Sequence, residues 1–294
     1  MERTMEMYLE EKKQFIDSAL TKYMQALQVP PALKQSMTYS VEAGGKRLRP
    51  ILLLASYEAF QKDITVALSS AAALEMIHTY SLIHDDLPAM DDDDYRRGKL
   101  TNHKAFSEAT AVLAGDALLT YSFEIISKDD KLTAVQKAEL IALLAESSGP
   151  KGMVAGQILD MEAEDKAINL QELERVHTLK TGELLRYAVY AGAYLGGATE
   201  KQLHALQLFA SYLGLIFQVQ DDILDVTGDE VKLGKPVGSD ALNLKSTYPK
   251  LLGIDGAIEK KEQYLLKAKE SLQAAGIENS NLMDLAIYFG QRDY

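Results

Sequence analysis

Residues His84 to Lys99 read HDDLPAMDDDDYRRGK, and six of the ten residues from Asp85 to Asp94 are aspartates. Asp85, Asp86 and Asp91 have the spacing D-D-x-x-x-x-D, with Arg96, Arg97 and Lys99 close behind. A second acidic cluster, Asp221, Asp222 and Asp225, interrupts the apolar run LGLIFQVQDDILDV. Carboxylates one helical turn apart repel each other, and apolar surroundings deprive them of hydration. A chain that carries these penalties twice implies a compensating cation. All the candidate ligands are oxygens, so a hard cation is expected. A calcium-binding EF-hand loop is excluded, because a frame starting at Asp93 puts Gly98 correctly sixth but Lys104, not Glu, twelfth. Magnesium takes one or two carboxylates and completes its shell with water and substrate phosphate, so two clusters suit about two or three such ions around one phosphate-bearing ligand.

Phosphates need cations, and these stand at the breaks in the chain. Lys46, Arg47 and Arg49 lie in the glycine turn AGGKRLRP, Arg96 and Arg97 follow the first acidic cluster, and Lys180, Lys235 and Lys245 lie in or near later breaks. Taken singly, each reads as a surface charge. Together, at helix ends and beside acids, they point to a diphosphate site. Neither G-x-x-x-x-G-K-[ST] nor G-x-G-x-x-G occurs, so a nucleotide loop has no support.

The elements that must position these residues are helices. Apolar residues recur at three- and four-residue steps over 7–27, 64–84, 109–126, 133–147, 171–194 and 201–226. No convincing run of alternating strand residues is found. About ten or more helices packed on one another are expected. Pro30 and Pro31 open one of them, and Pro88 ends the helix that carries Asp85 and Asp86, so that Asp91 can fold back beside Asp85. The long Gly-, Pro- and Lys-containing stretch 227–249 reads as a functional loop.

The bulk numbers narrow the partners. The chain has 294 residues, 47% hydrophobic and 25% charged, with a net charge of −12 and a pI near 5.0. That charge disfavours nucleic acid and anionic membranes. No linker divides the sequence, so a single domain over 1–294 is expected. The absence of cysteine excludes disulfides and thiolate chemistry. The N-terminal segment MERTMEMYLEEKKQF has no apolar core of the kind a secretory leader needs, and no apolar run was expected to span a bilayer. A soluble, cytoplasmic protein is the expectation.

With these residues in view, the chain resembles the short-chain trans-isoprenyl diphosphate synthases. The resemblance runs along nearly the whole chain, through GGKRLRP, HTYSLIHDDLPAMDDDDYRRGK, GQILDM, LKTGELL, FQVQDDILDVTGD and LGKPVGSD. It implies an all-α isoprenoid-synthase fold, a helical bundle around a central cavity, and a homodimer. It implies magnesium at Asp85 and Asp91 with Asp86 adjoining, and at Asp221, Asp222 and Asp225, with Asp221 the foremost direct ligand. Arg96, Lys180, Thr181, Gln218 and Lys235 match positions that hold the allylic diphosphate. Lys180, Thr181 and Gln218 also face the cation, with Gly182 as the site of a helix break. Lys46, Arg49, His78 and Arg97 match the isopentenyl diphosphate site, with Arg47 beside it. Lys245 is a weaker match, and Arg292 is a candidate to close over the second diphosphate.

The activity implied is magnesium-dependent condensation of isopentenyl diphosphate with dimethylallyl or geranyl diphosphate. Tyr80 and Ser81 bear on product length. Tyr80 lies five residues before Asp85, about 7.5 Å back along a helix at 1.5 Å per residue, where its ring can block a growing chain and Ser81 cannot. In the family, an aromatic there, with the two extra residues in DDLPAMD, accompanies a farnesyl product. Three alternatives stand beside this. A geranylgeranyl diphosphate synthase has the same motifs. A terpene cyclase shares the first acidic motif but not DDILD. A non-catalytic, metal-binding helical subunit would be expected to have lost one of the two motifs, and both are present.

Overall fold

The structure is a computed structural model that describes residues 4–164, 166–228 and 246–291. In chain order its helices are α1 (Met5–Ala26), α2 (Pro31–Val41), α3 (Leu48–Glu58), α4 (Leu68–Asp85), α5 (Asn102–Ala105), α6 (Glu108–Ser127), α7 (Ala134–Ser148), α8 (Met153–Ala163), α9 (Leu170–His177), α10 (Glu183–Leu195), α11 (Glu200–Thr227), α12 (Tyr248–Ala275) and α13 (Asn281–Gln291). A short 3-10 turn, Ile64–Ala67, leads into α4. The one pairing of strands among the described residues is the ribbon β1 (Tyr95–Arg96) and β2 (Lys99–Leu100). The chain forms two compact units, one of residues 1–54 and 63–142, the other of residues 55–62 and 143–294.

In the first unit α4 is the core element. Leu74, Met76 and Ile77 on it are fully buried, as suits a helix apolar nearly all round. α1 and α6 pack against it. α6 buries a single stripe, Ala111, Ala114, Leu118 and Ile125, and leaves Val112 and Leu113 exposed. The 22-residue segment Ile64–Asp85 and the 20-residue α6 are long and apolar enough to cross a membrane, which the sequence reading did not anticipate. For the first segment that apolarity is spent on burial inside the unit. α2 and α5 are clasped by Asn102, whose amide donates to Ser36 O at 2.9 Å and to Ser40 Oγ at 2.8 Å, and accepts from Ser36 Oγ at 2.7 Å.

In the second unit α11 runs through the core with Leu206, Phe209, Leu213 and Ile216 buried, and packs on α12, α10 and α13. Its start is fixed by a capping box: Thr199 accepts from Gln202 N while Gln202 reaches back to Thr199 N. α9 starts the same way with Asn169 and Glu172. The periodic run 171–194 is not one helix. Between α9 and α10 lies a π-turn, Thr178–Gly182, a rare geometry that widens the helix by one residue.

Two glycines make room for that turn. Gly156 on α8 sits so close that an added methyl would overlap the Lys180 backbone nitrogen, and a methyl on Gly214 of α11 would lie 3.0 Å from Gly182 Cα. Gly156→Ala is therefore expected to displace the π-turn. Overpacking of this kind costs about 1–3 kcal/mol, to be read as a lowered denaturant midpoint in urea unfolding followed by circular dichroism.

Candidate active site

The first acidic cluster is built by the end of α4. Leu87 N bonds His84 O at 3.2 Å, Met90 N bonds Leu87 O at 2.8 Å, and Asp91 N bonds Asp85 O at 2.8 Å. The last of these folds Asp91 back over Asp85, as its spacing and Pro88 led us to expect. Asp91 is exposed and Asp85 half-buried. Asp86 differs: only 3% exposed, it receives Arg96 Nε at 2.6 Å and Arg96 Nη2 at 2.5 Å. Burial pushes the Asp86 carboxyl above the usual carboxylate range, and Arg96 pulls the other way. Asp86 is thus the seat of Arg96. Asp94 pairs with Lys104 at 2.7 Å.

The first basic set is assembled in the same unit around the glycine turn. Gly44 and Gly45 have φ of 88° and 121°, open to glycine at little cost. Arg97 lies in a ribbon turn with φ of 53° followed by Gly98 at 74°, the two positive angles that a two-residue hairpin favours. From there its guanidinium lies over Gly45, 2.6 Å from where a Cβ would stand, and donates to Gly44 O. Arg49 Nη1 is 3.4 Å from His78 Nε2. Burial first, then Arg49, Arg97, Arg47 and Arg96, hold the His78 pKa well below its ordinary value. His78 is therefore neutral at pH 7, with one ring nitrogen left as a donor. Arg47 faces the other way, buried with Asp17 and Glu75.

Tyr80, 7% exposed, is fixed by its own helix. Its ring meets that of His84 edge-on, with centroids 5.7 Å apart. His84 in turn occupies the space where a Cβ on Gly115 would stand, with Nε2 3.1 Å from Val112 O. Burial and Asp85 push the Tyr80 hydroxyl up to about 12. Ser81 Oγ is bonded to His78 O at 2.9 Å.

The second unit holds a cavity of about 300 Å³ lined by Asp160, His177, Lys180, Thr181, Gln218 and Asp221, among others. Four of these six are residues that the sequence singled out, brought together by the π-turn and by α11. Lys180 Nζ donates to Asp160 Oδ2 at 2.6 Å. Asp160 lies in the quoted motif GQILDM but was not assigned a role; its signal was an acid on a helix, which sequence alone could not aim. Asp222, 6% exposed, accepts from Tyr248 N at 2.9 Å and so caps α12. Asp221 and Asp222 both line the cavity, so this bond leaves Asp222 at the site beside Asp221. Asp225 is buried. Lys235, Lys245 and Arg292, and most of the loop 227–249, lie outside the described residues.

Among the described residues no three His, Asp or Glu side chains converge as a ready-made metal cage. The donors nevertheless fit magnesium. They are carboxylate oxygens, Asp91 is open to solvent, and such an ion needs only one or two from the protein.

The family model described as Polyprenyl synthetase matches residues 30–280. A farnesyl diphosphate synthase from Geobacillus stearothermophilus is 51% identical over 99% of both chains. A chloroplastic geranylgeranyl pyrophosphate synthase from Catharanthus roseus is 48% identical over 90% of this chain and 75% of its own. A solved geranyltransferase from Legionella pneumophila superposes with a TM-score of 0.84 at 34% identity, covering 97% of this chain and 96% of the other.

The His78 shift sets a pH dependence. The unfolded chain takes up a proton near pH 6.5 that the folded site refuses, so stability must fall as pH drops through that value. Between pH 7 and 5.5 the loss from this residue is on the order of 1 kcal/mol at most. Thermal melts of the parent and His78→Gln at both pH values check it, and the variant should lose less on acidification.

Proposed function

This chain belongs to the polyprenyl synthetase family, and we infer that it is a prenyltransferase that forms farnesyl diphosphate from isopentenyl diphosphate and dimethylallyl or geranyl diphosphate. Its fold is the all-α isoprenoid-synthase fold, and the 1–294 chain acts as one catalytic domain. The observation that carries the reading is the arrangement of charge around two kinds of anion site. One is a cluster of arginines, Arg49 and Arg97 foremost, around a neutral His78. The other is a cavity where Lys180 and Asp221 meet Thr181 and Gln218.

Lys46, Arg49, His78 and Arg97 bind isopentenyl diphosphate. Arg96, Lys180 and Lys235 bind the allylic diphosphate. Arg96 and Lys180 wait on Asp86 and Asp160, each about a third exposed, so a diphosphate can compete for them. Asp85, Asp91 and Asp221 hold two or three magnesium ions, with Asp225, and with Asp86 and Asp222 acting mainly through their partners. Bound magnesium supplies charge neutralisation for the diphosphate as it leaves. Lys180 and Arg96 add to that stabilisation from fixed positions, where preorganised charge is most effective. Thr181 and Gln218 present oxygen atoms toward the allylic carbocation. Holding the isopentenyl double bond beside it supplies much of the rate. The proton lost at the end goes to the departed diphosphate, which is why no side-chain base stands out.

The buried Tyr80 supports a C15 product, because its ring closes the direction in which a chain grows away from Asp85. A homodimer completes the reading: α6 leaves Val112 and Leu113 exposed on an apolar helix, a surface that a second copy would cover.

Two experiments test this. Chelation of magnesium should abolish turnover, and Asp85→Ala or Asp221→Ala should lower kcat by about two orders of magnitude or more; full activity of either variant would remove that residue from the ion site. Tyr80→Ala should shift the product toward C20, read by chromatography of the dephosphorylated alcohols, at a cost of about 3 kcal/mol for the emptied volume.

A further inference from the structure

We infer that Arg47 is a positioning residue: through a buried ionic latch to Glu75 it sets the glycine turn against α4 and thereby forms the isopentenyl diphosphate subsite. The inference rests on the reading of Lys46, Arg49, His78 and Arg97 as that subsite. By sequence, Lys46, Arg47 and Arg49 look like three equivalent phosphate-binding cations. The structure separates them. Arg47 is 4% exposed and its guanidinium is held from three sides. Nε donates to Asp17 Oδ1 of α1 at 2.8 Å, Nη1 to Glu75 Oε1 of α4 at 2.6 Å, and Nη2 to Val41 O at the end of α2 at 2.6 Å.

The fork shape of arginine is what allows three acceptors in three directions; a lysine is a point charge. Arg47 also holds a left-handed backbone, φ 52°, which a non-glycine residue adopts only where its surroundings impose it. The latch imposes it. The main chain of the same residue then accepts from Ile51 N at 3.0 Å, fixing where α3 begins and so the direction of Arg49. Glu75 stands three residues before His78 on α4, one turn away on the same face. One ion pair therefore sets the register between the segment carrying Arg49 and the helix carrying His78. Gly44 and Gly45, just upstream, are the surface on which Arg97 rests.

A merely stabilising ion pair would change the melting point without favouring one substrate over the other. The test is steady-state kinetics of Arg47→Met/Glu75→Leu, a pair chosen because apolar side chains of similar volume replace a buried ion pair with little loss of stability. Asp17, 39% exposed, is left to solvent. The KM for isopentenyl diphosphate should rise about tenfold or more while that for geranyl diphosphate stays within about twofold. Arg49→Ala is measured in parallel as the direct ligand. Should the double variant fail to fold, Arg47→Lys, which keeps the buried charge but not the fork, carries the same expected split. If Arg49→Ala shows the split and the latch variant changes both KM values equally or neither, the latch is overturned and the subsite stands. If Arg49→Ala shows no split either, the subsite assignment falls and the latch with it.

Discussion

A protein of net charge −12 must present cations to anionic substrates without losing those cations to its own acids. The described ion pairs solve this by exposure. Arg96–Asp86 and Lys180–Asp160 pair through cations that are about a third exposed. A pair with both side chains partly exposed, as in Lys180–Asp160, contributes little, around 0–1 kcal/mol, so an arriving anion exchanges with the acid at small cost. Arg96–Asp86 is intermediate, because Asp86 is 4% exposed and losing its partner would strand a buried carboxylate. Arg47–Glu75 is at the other extreme, with both side chains 2% exposed. Breaking a buried pair costs about 3–5 kcal/mol, so it does not exchange. The same chemistry thus leaves Lys180 exchangeable, holds Arg96 more firmly and locks Arg47 into the frame. Depth of burial decides which.

The cavity of the second unit depends on a similar economy in the backbone. A regular α-helix over 171–194 would keep its carbonyls bonded within the helix. The π-turn at Thr178–Gly182 instead alters that ladder at Lys180 and Thr181, which line the cavity. Such a turn persists only where packing imposes it, and Gly156 and Gly214 provide the two surfaces that fit around it. The cavity-lining residues Lys180 and Thr181 are therefore placed by neighbours that have no side chain at all.

Much of this was legible in the sequence. Three- and four-residue spacing located α1, α6, α7 and α11 within a residue or two, ran α4 together with the 3-10 turn that precedes it, and Pro31 marked the start of α2. Asp91 folding back on Asp85 followed from the spacing and Pro88. What was not legible is tertiary. Asp86 and Asp222 look like their neighbours Asp85 and Asp221 in sequence, and only the fold gives one to Arg96 and the other to Tyr248 N. Arg47 cannot be told from Arg49 until its left-handed backbone is seen. The ribbon at 95–100 escaped because two residues per strand carry no alternation; its one signal was a glycine after Arg97. Within 171–194 the one signal was Gly182, read as a helix break; that the irregularity is a π-turn over Thr178–Gly182 is set by packing.

Product length shows how these levels combine. An aromatic ring limits a hydrocarbon chain only if it cannot swing aside. Tyr80 sits on a largely buried helix, with His84 edge-on to it. His84 is seated in the space over Gly115 and beside Val112 O. The ring is thus backed by a side chain that is itself backed by main chain, and main chain in a helix does not give way. Val112 and Gly115 belong to α6, whose outer face carries the exposed Leu113. The helix that backs the ring from its buried side is the one that offers an apolar surface on the other. Covering that surface with a second copy would stiffen α6 and, through Gly115 and His84, the position of Tyr80.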